Sequence, residues 1–422
     1  MAGPPPTTSS AARAAARKVM ERADRLARCS EEPGRITRSY GTPALREARD
    51  LVEGWMREAG LEVRRDAIGN ASGAVPACSS GARTLLLGSH IDSVRDAGRY
   101  DGPLGVLVAI AAVELLLAEG HSAPFGIEVV AFADEEGLRY RSSYLASRAL
   151  AGTIEVAELD FVDAAGISLR DAIRAMGGDP DALSSARRSG AELLGYVEVH
   201  IEQGPVLEQQ GLALGVVSAI AGQSRGSVTF TGVAGHAGTV PAELRRDALC
   251  GAAEWVLSVE AEPKRHPGLV ATVGQLAIEP SVGNVIPAMA RASYDVRHSD
   301  DAEKARACQR LRDGAQQIGD RRGLSVLWET LQEHRAVPMA AHLVDALGRS
   351  VAAVGHPVHS MPSGAGHDAV PLHELTDVAM LFVRCRGGVS HHPDESVEET
   401  DVVAAIAAIA ELLRSPGLEA RR

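Results

Sequence analysis

The sequence predicts an α/β protein with two domains. The larger is built on a mostly parallel sheet with helices on both faces; the smaller is an inserted α/β sandwich of ferredoxin-like type. Three observations predict this. Short apolar strands alternate with helical segments at both ends of the chain, as in a parallel sheet wrapped by helices. The middle of the chain turns to alternating strands around two helical stretches. And 422 residues exceed one ordinary domain. The expected boundaries are a disordered tail at 1–10, the larger domain at 11–213 and 329–422, and the smaller at 214–328.

The elements follow in order. The Pro/Thr/Ser-rich start has no acid before Glu21, a feature shared with transit peptides. It reads more simply as a frayed tail leading into an Ala/Arg-rich helix from Ala11 to Arg28. In "TPALREARDLVEGWMREAG", Thr42 is placed to cap a helix, Pro43 to open it and Gly60 to stop it. Leu45, Leu51, Val52, Trp55 and Met56 form its apolar stripe. "LEVRRDAIGNASGAV" reads as strand, turn, strand. Residues 84–89 and 125–133 are short buried strands, and 104–120 is apolar all round, as a buried helix is. In the middle, "SVTFTGVAGHAG", "LVATVGQLAIEP" and "ARASYDVRHS" are strands, with helices expected near 242–261 and 301–319. The first pattern resumes at "HLVDALGRSVAAVG" and ends in the helix "DVVAAIAAIAELLRS".

Composition excludes several classes. The chain is 45% hydrophobic and 23% charged, ordinary for a globular protein. Aromatics are only 3% and net charge is −12 with no basic run, which argues against a nucleic-acid partner. No stretch of 18 apolar residues offers a membrane span. Five scattered cysteines without a CxxC pair fit reduced thiols in the cytoplasm and argue against a thiolate metal site.

"EVVAFADEEGLRY" places two adjacent carboxylates, Glu135 and Glu136, after an apolar strand, where they would repel unless something positive sits beside them. Other segments supply matching groups. His90 and Asp92 stand two apart at a strand end, and Asp101 follows in the Gly/Pro-flanked turn "YDGPLG". His200 ends the strand in "YVEVHIEQGP". His391 and His392 lie in "GGVSHHPDE", after the strand "VAMLFVRC". Four strand-end segments thus each offer imidazole or carboxylate, and in open α/β sheets such ends carry the active residues. The set suits two divalent cations sharing one bridging carboxylate, and these ligands fit Zn, Mn, Co or Ni better than Mg or Ca. In "ARASYDVR", the polar face carries Arg291, Ser293, Asp295 and Arg297, and a guanidinium fork suits a substrate carboxylate.

The ordered set "GSHIDSV…GRYDGPLGV…FADEEG…HIEQGP…AGHAGTVP…NVIP…DVRH…SGAGHDA…SHHPDE" resembles the hydantoinase/carbamoylase family of binuclear-metal amidohydrolases, within the aminoacylase and carboxypeptidase clan. The resemblance runs from about Ile36 to the C-terminal helix. It implies that His90 and His200 each bind one metal, that Asp101 bridges both, and that Glu136 is a ligand. Of the paired histidines it selects His391, which directly follows the serine. Glu135 would be the general base, taking a proton from a water shared by the two metals to give the attacking hydroxide, and Asp92 would hold His90. His236 would donate to the oxyanion and reach the active site of a partner subunit, making the enzyme at least a homodimer whose smaller domain serves dimerisation and closure. Asn284, Arg297, Gln203 and the "SGAGHD" backbone with Gly366 and His367 would contact substrate. The implied reaction cleaves a ureido C–N bond of a small carboxylate. Allantoate is favoured, as in purine catabolism. An N-carbamoyl-L-amino acid or β-ureidopropionate is the alternative, and an aminoacylase or exopeptidase activity the more distant one. Pro103, Ala146, Ala242, Pro371 and His373 depart from the family pattern. None removes an implied ligand.

Overall fold

The computed structural model describes residues 10–78, 81–415 and 418. Of the expected tail at 1–10, residues 1–9 lie outside the described residues; Ser10 is the first residue of the helix Ser10–Leu26. The chain divides into two compact units, one comprising 219–338 with 362–365 and the other the remainder.

The larger unit is organised by four adjacent parallel strands. Gly126–Phe132 pairs with Thr84–His90, which pairs with Leu193–Ile201, which pairs with Val378–Val383. All four are buried almost throughout, so each reads as a continuous apolar run rather than an alternating one. Antiparallel strands continue the sheet on both sides. Glu62–Arg65 and Ala71–Val75 form the expected strand–turn–strand beyond Gly126–Phe132, and Leu214–Ile220 pairs with Val378–Val383.

Helices pack against this sheet. Pro103–Ala118 is buried on nearly every side, lying on the central strands and against Ser10–Leu26 and Glu399–Arg414. A Cβ at Gly105 would come 2.0 Å from Val199 O, so the glycine is what lets helix and strand approach. The helix Pro43–Glu58 starts as its sequence specifies, with Thr42 Oγ1 accepting from Leu45 N and Pro43 in the first turn, where its missing N–H costs nothing.

The smaller unit has four main antiparallel strands in the order Leu276–Glu279, Met289–His298, Gly222–Thr231, Ser325–His334. Numbered along the chain this is 4-1-3-2, the ferredoxin-like arrangement, with helices Ala248–Arg265 and Asp301–Arg322 completing the two βαβ halves. Its core joins Val228, Phe230, Trp255, Tyr294, Val296, Leu311 and Ile318. Trp255 Nε1 donates to Leu311 O at 3.0 Å, so the indole is buried without losing its hydrogen bond.

Two boundaries differ from expectation. Residues 214–218 belong with the larger unit because Leu214, Gly215 and Val216 pair with Val383, Phe382 and Leu381. Residues 329–338 belong with the smaller one because the strand Ser325–His334 runs past 328, paired along Gly222–Thr231. The helix expected from 242 begins at Ala248. A 3₁₀ turn occupies Ala242–Leu244, and the Asp247 carboxylate caps the helix by accepting from Cys250 N.

Candidate active site

The four parallel strands end on one edge of the sheet, and the candidate ligands come from those ends. His90 is the last residue of Thr84–His90, and His200 the penultimate residue of Leu193–Ile201. Glu135 and Glu136 lie in the turn after Gly126–Phe132, and His391 in the loop after Val378–Val383. Asp101 lies just before Pro103–Ala118. Gly102 between them has φ +81°, and a Cβ there would sit 2.5 Å from the His90 ring, so glycine is required on both counts. Pro103, a departure from the family pattern, takes the first helical position, which suits proline.

Asp101 is central. Its Oδ1 is 3.1 Å from His200 Nε2 and 3.7 Å from His90 Nε2; its Oδ2 is 3.1 Å from His391 Nε2. His391 Nε2 is also 3.5 Å from Glu136 Oε1. Two triads of potential ligand atoms result, His90/Asp101/His200 and Asp101/Glu136/His391, sharing Asp101, while a third grouping of His90, Glu135 and Glu136 overlaps both. His391 has φ +56°, uncommon for a residue with a side chain and often found where function imposes it. His392 points elsewhere, exposed and 3.6 Å from Asp394.

Polar contacts preset the imidazoles. His200 Nδ1 lies 2.9 Å from Ile201 O, so Nδ1 carries a proton toward that carbonyl and Nε2 is the nitrogen turned to Asp101. His90 Nδ1 is 3.3 Å from Asp92 Oδ1, and its Nε2 faces His200 Nε2 at 3.5 Å. Asp92 does a second job: its two oxygens accept the backbone N–H groups of Glu135 (3.0 Å) and Glu136 (3.1 Å). The two glutamates have left the strand by then, so strand alternation no longer sends them to opposite faces.

The electrostatics fit a cation. Asp92, Asp101, Asp134, Glu135 and Asp368 are all buried. Burial, then the charge of Glu136, raises Glu135 well above the carboxylate range; burial and Asp101 push Glu136 up to about 7. Burial would raise Asp101 too, but hydrogen bonds from His200, His391 and His90 outweigh it and hold it well below its usual value. Asp101 in turn raises His391 to about 9. Carboxylates crowded out of water are costly unless protons or a cation neutralise them, and the imidazole and carboxylate donors match a divalent transition metal or zinc. No described group hydrogen-bonds the Glu135 carboxylate, and the buried Asp134 carboxylate likewise has no partner.

Gln203 is also at the cluster, with φ +58°. Its Nε2 donates to Asp101 Oδ2 at 3.0 Å and lies 3.3 Å from Ser390 Oγ, leaving its buried Oε1 without a partner. His367 is buried edge-on to His200, ring centroids 4.6 Å apart; burial and then His200 hold it well below the usual histidine range, so it is neutral. Gly366 lies against Tyr144, whose Oη would be 1.8 Å from any Cβ at that position.

Three expected residues lie in the smaller unit. His236 and Asn284 are neighbours on a two-stranded ribbon, Gly235–His236 against Val285–Ile286, and both are exposed. Gly238 N donates to His236 Nδ1 at 3.0 Å, so the neutral ring carries its proton on Nε2, as a hydrogen-bond donor. The guanidinium fork of Arg297 is engaged: Nε and Nη2 pair with Asp295 at 2.9 and 2.8 Å, and Nη1 donates to Gly364 O at 2.6 Å. Residues two apart on a strand share a face, which is why Asp295 reaches it.

Several site residues escaped the sequence reading. Ser390 and Glu395 bind the Asp101 turn; Tyr144 has φ +62° and its backbone N donates to Glu135 O; Asp368 accepts from Ser147 Oγ beside Glu198. Ser390 and Glu395 stand in "SHHPDE" and Asp368 in "GHD", but nothing in those stretches marks the contacts they make.

A profile of peptidase family M20/M25/M40 matches residues 86–415. An allantoate deiminase from Arabidopsis thaliana is 40% identical, over 94% of this chain and 82% of the relative. An N-carbamoyl-L-amino acid amidohydrolase from Geobacillus stearothermophilus is also 40% identical, over 92% of this chain and 95% of the relative. The crystal structure of an amidase of the hydantoinase/carbamoylase family from Burkholderia multivorans superposes with a TM-score of 0.89 at 32% identity, covering 96% of this chain and 98% of that one. With identity of this order across nearly its whole length, the chain belongs to peptidase family M20/M25/M40, in its hydantoinase/carbamoylase branch of metal-dependent amidohydrolases.

Proposed function

We propose that this protein hydrolyses the ureido C–N bond of a small carboxylate, with allantoate as substrate, and that it does so with two divalent ions per subunit. The observation that carries the proposal is the pair of ligand triads sharing Asp101, with the unpaired Glu135 carboxylate beside them. His90, Asp101 and His200 would hold one ion; Asp101, Glu136 and His391 the other. Zinc, manganese, cobalt and nickel all suit these donors. When bound, the ions would acidify water and polarise the substrate carbonyl.

The remaining work falls to the chain's own groups. Glu135 takes the proton of the attacking water and delivers it to the leaving nitrogen. Burial and then the neighbouring charge of Glu136 favour this, since both raise its proton affinity. Asp92 fixes both glutamates through their backbone N–H groups and orients His90. His236 offers an Nε2–H donor for the developing oxyanion. Arg297 binds the substrate carboxylate by exchanging it for Asp295, and Asn284 binds ureido or carboxylate oxygen.

In this reading the protein is a homodimer, and the His236 and Asn284 ribbon serves the partner's site. Its exposed position supports that, as do the exposed apolar side chains of Val233, Leu244 and Val282 on the segments beside it. All five cysteines are unpaired, consistent with the reducing cytoplasm, and no helix among the described residues is long and apolar enough to cross a membrane. The second reading, an N-carbamoyl-L-amino acid amidohydrolase, is favoured by the Geobacillus relative, which matches over nearly its full length.

The test is a substrate panel. Protein reconstituted with manganese or zinc is offered allantoate, several N-carbamoyl-L-amino acids, β-ureidopropionate and a dipeptide, with ammonia and amine release followed. Allantoate is expected to give the highest kcat/KM. A preference for carbamoyl amino acids selects the second reading, and turnover of the dipeptide alone overturns both.

A further inference from the structure

Glu395 closes the "SHHPDE" motif, yet no role in ligation or substrate binding falls to it. It is 3% exposed. Its Oε1 accepts the backbone N–H groups of Tyr100 (2.7 Å) and Asp101 (3.0 Å). Its Oε2 accepts from Ser390 Oγ at 3.3 Å, and the same hydroxyl lies 2.6 Å from Asp101 Oδ2. One buried carboxylate therefore ties the turn that carries Asp101 to the loop that carries His391. The packing is built for it: a Cβ on Gly98 would come 2.2 Å from the Glu395 carboxyl carbon, so only glycine leaves room.

The two triads depend on this tie unequally. His90 and His200 stand on strands of the parallel sheet, held by its ladder. His391 stands on a loop, with its side chain 48% exposed and its backbone left-handed. It meets Asp101 on Oδ2, the oxygen that Ser390 also engages.

We propose that Glu395 is a positioning residue for one ion only: it holds the loop of His391 against Asp101 and so sets the affinity of the Asp101/Glu136/His391 site, leaving the His90/Asp101/His200 site largely unaffected. The proposal rests on the two-ion reading above and deepens it.

Calorimetric titration of metal-stripped protein with Mn²⁺ or Zn²⁺, with the visible spectrum of the Co²⁺ form as a second readout, tests it without reference to turnover. Wild type is expected to bind two ions per subunit. Glu395→Ala is expected to weaken one of them about ten- to hundred-fold, the usual cost of losing an outer partner of a ligand, and to leave the other within about threefold. Glu395→Gln keeps an oxygen for both backbone N–H groups and is expected to restore most of the loss. Ser390→Ala, which removes one link and keeps the backbone clamp, is expected to weaken the same ion less and keeps the test decisive if Glu395→Ala does not fold. Unchanged affinities in Glu395→Ala or in Ser390→Ala, equal weakening of both ions, or no recovery in Glu395→Gln overturns the proposal. In each of those cases wild type still binds two ions and the two-ion reading stands. Wild type that binds fewer than two ions overturns both together.

Discussion

The two units place their candidate functional groups in opposite environments. In the larger unit they are buried, crowded and mutually charged. Asp101 is enclosed by three imidazoles, and the two glutamates are pinned through their backbones by Asp92. In the smaller unit His236 and Asn284 are exposed on a short ribbon, and Arg297 is held in an ion pair with its own strand neighbour. The contrast teaches which groups are preorganised. A buried cluster of like charge needs counter-charge to be stable, so it is shaped for an ion even without substrate. An exposed ribbon and an arginine paired within its own strand carry no such preorganisation.

The sharpest way to break this comparison is at Asp101. Asp101→Asn removes the charge shared by both triads and is expected to abolish binding of both ions in a metal-content assay and to reduce turnover to background. Retention of two ions would show that the triads do not share a ligand.

Glu135→Gln is expected next in size. General-base loss should reduce kcat by about 10²–10⁴-fold while metal content stays at the wild-type level. Unchanged turnover would remove Glu135 from the chemistry, and lost metal would make it a ligand.

For the smaller unit, His236→Ala is expected to lower kcat by about 10²–10³-fold, the range for an oxyanion donor. Mixing it with Glu135→Gln distinguishes a residue acting within its own subunit from one serving the partner. If it serves the partner, half of randomly mixed dimers regain one intact site, and about a quarter of wild-type activity should return on subunit exchange. No recovery after exchange would place His236 in its own subunit's site or outside the chemistry.

Arg297→Lys should have the smallest effect, a rise in KM of about tenfold with kcat nearly unchanged, because lysine keeps the charge and loses the fork. An equal fall in kcat would show that the arginine acts in the transition state and not in substrate binding.

Much of this was legible in the chain itself. The strands at 84–90, 126–132 and 193–201 could be read as carriers of candidate ligands because each is an apolar run that ends in or is soon followed by histidine or acid, and a polar group in that position stands out; after Val378–Val383 the histidines come eight residues on, in a loop. The ferredoxin-like unit could be read because its strands alternate: in Met289–His298, Ala290, Ala292, Tyr294 and Val296 are buried while Arg291 is exposed and Ser293, Asp295 and Arg297 are partly so. Its edges were misjudged where pairing decides, at 214–218 and 329–338. The pairing of Arg297 with Asp295 was not legible either, since period two places Asp295 beside it but says nothing of which pairs with which. Glu395 and Ser390 were passed over because hydrogen bonds to a turn almost 300 residues away in sequence leave no local pattern.

Local sequence determined which segments are strands and helices, which side chains stand at strand ends, and what kind of ion their donors suit, because those properties follow from side-chain chemistry and short-range spacing. The motif pointed to His391 over His392, and the tertiary structure brings it to Asp101; only the tertiary structure decided that one aspartate faces three imidazoles and that Glu395 ties two loops together. Those outcomes depend on distances between residues remote in the chain, and such distances are set by how strands pair and helices pack.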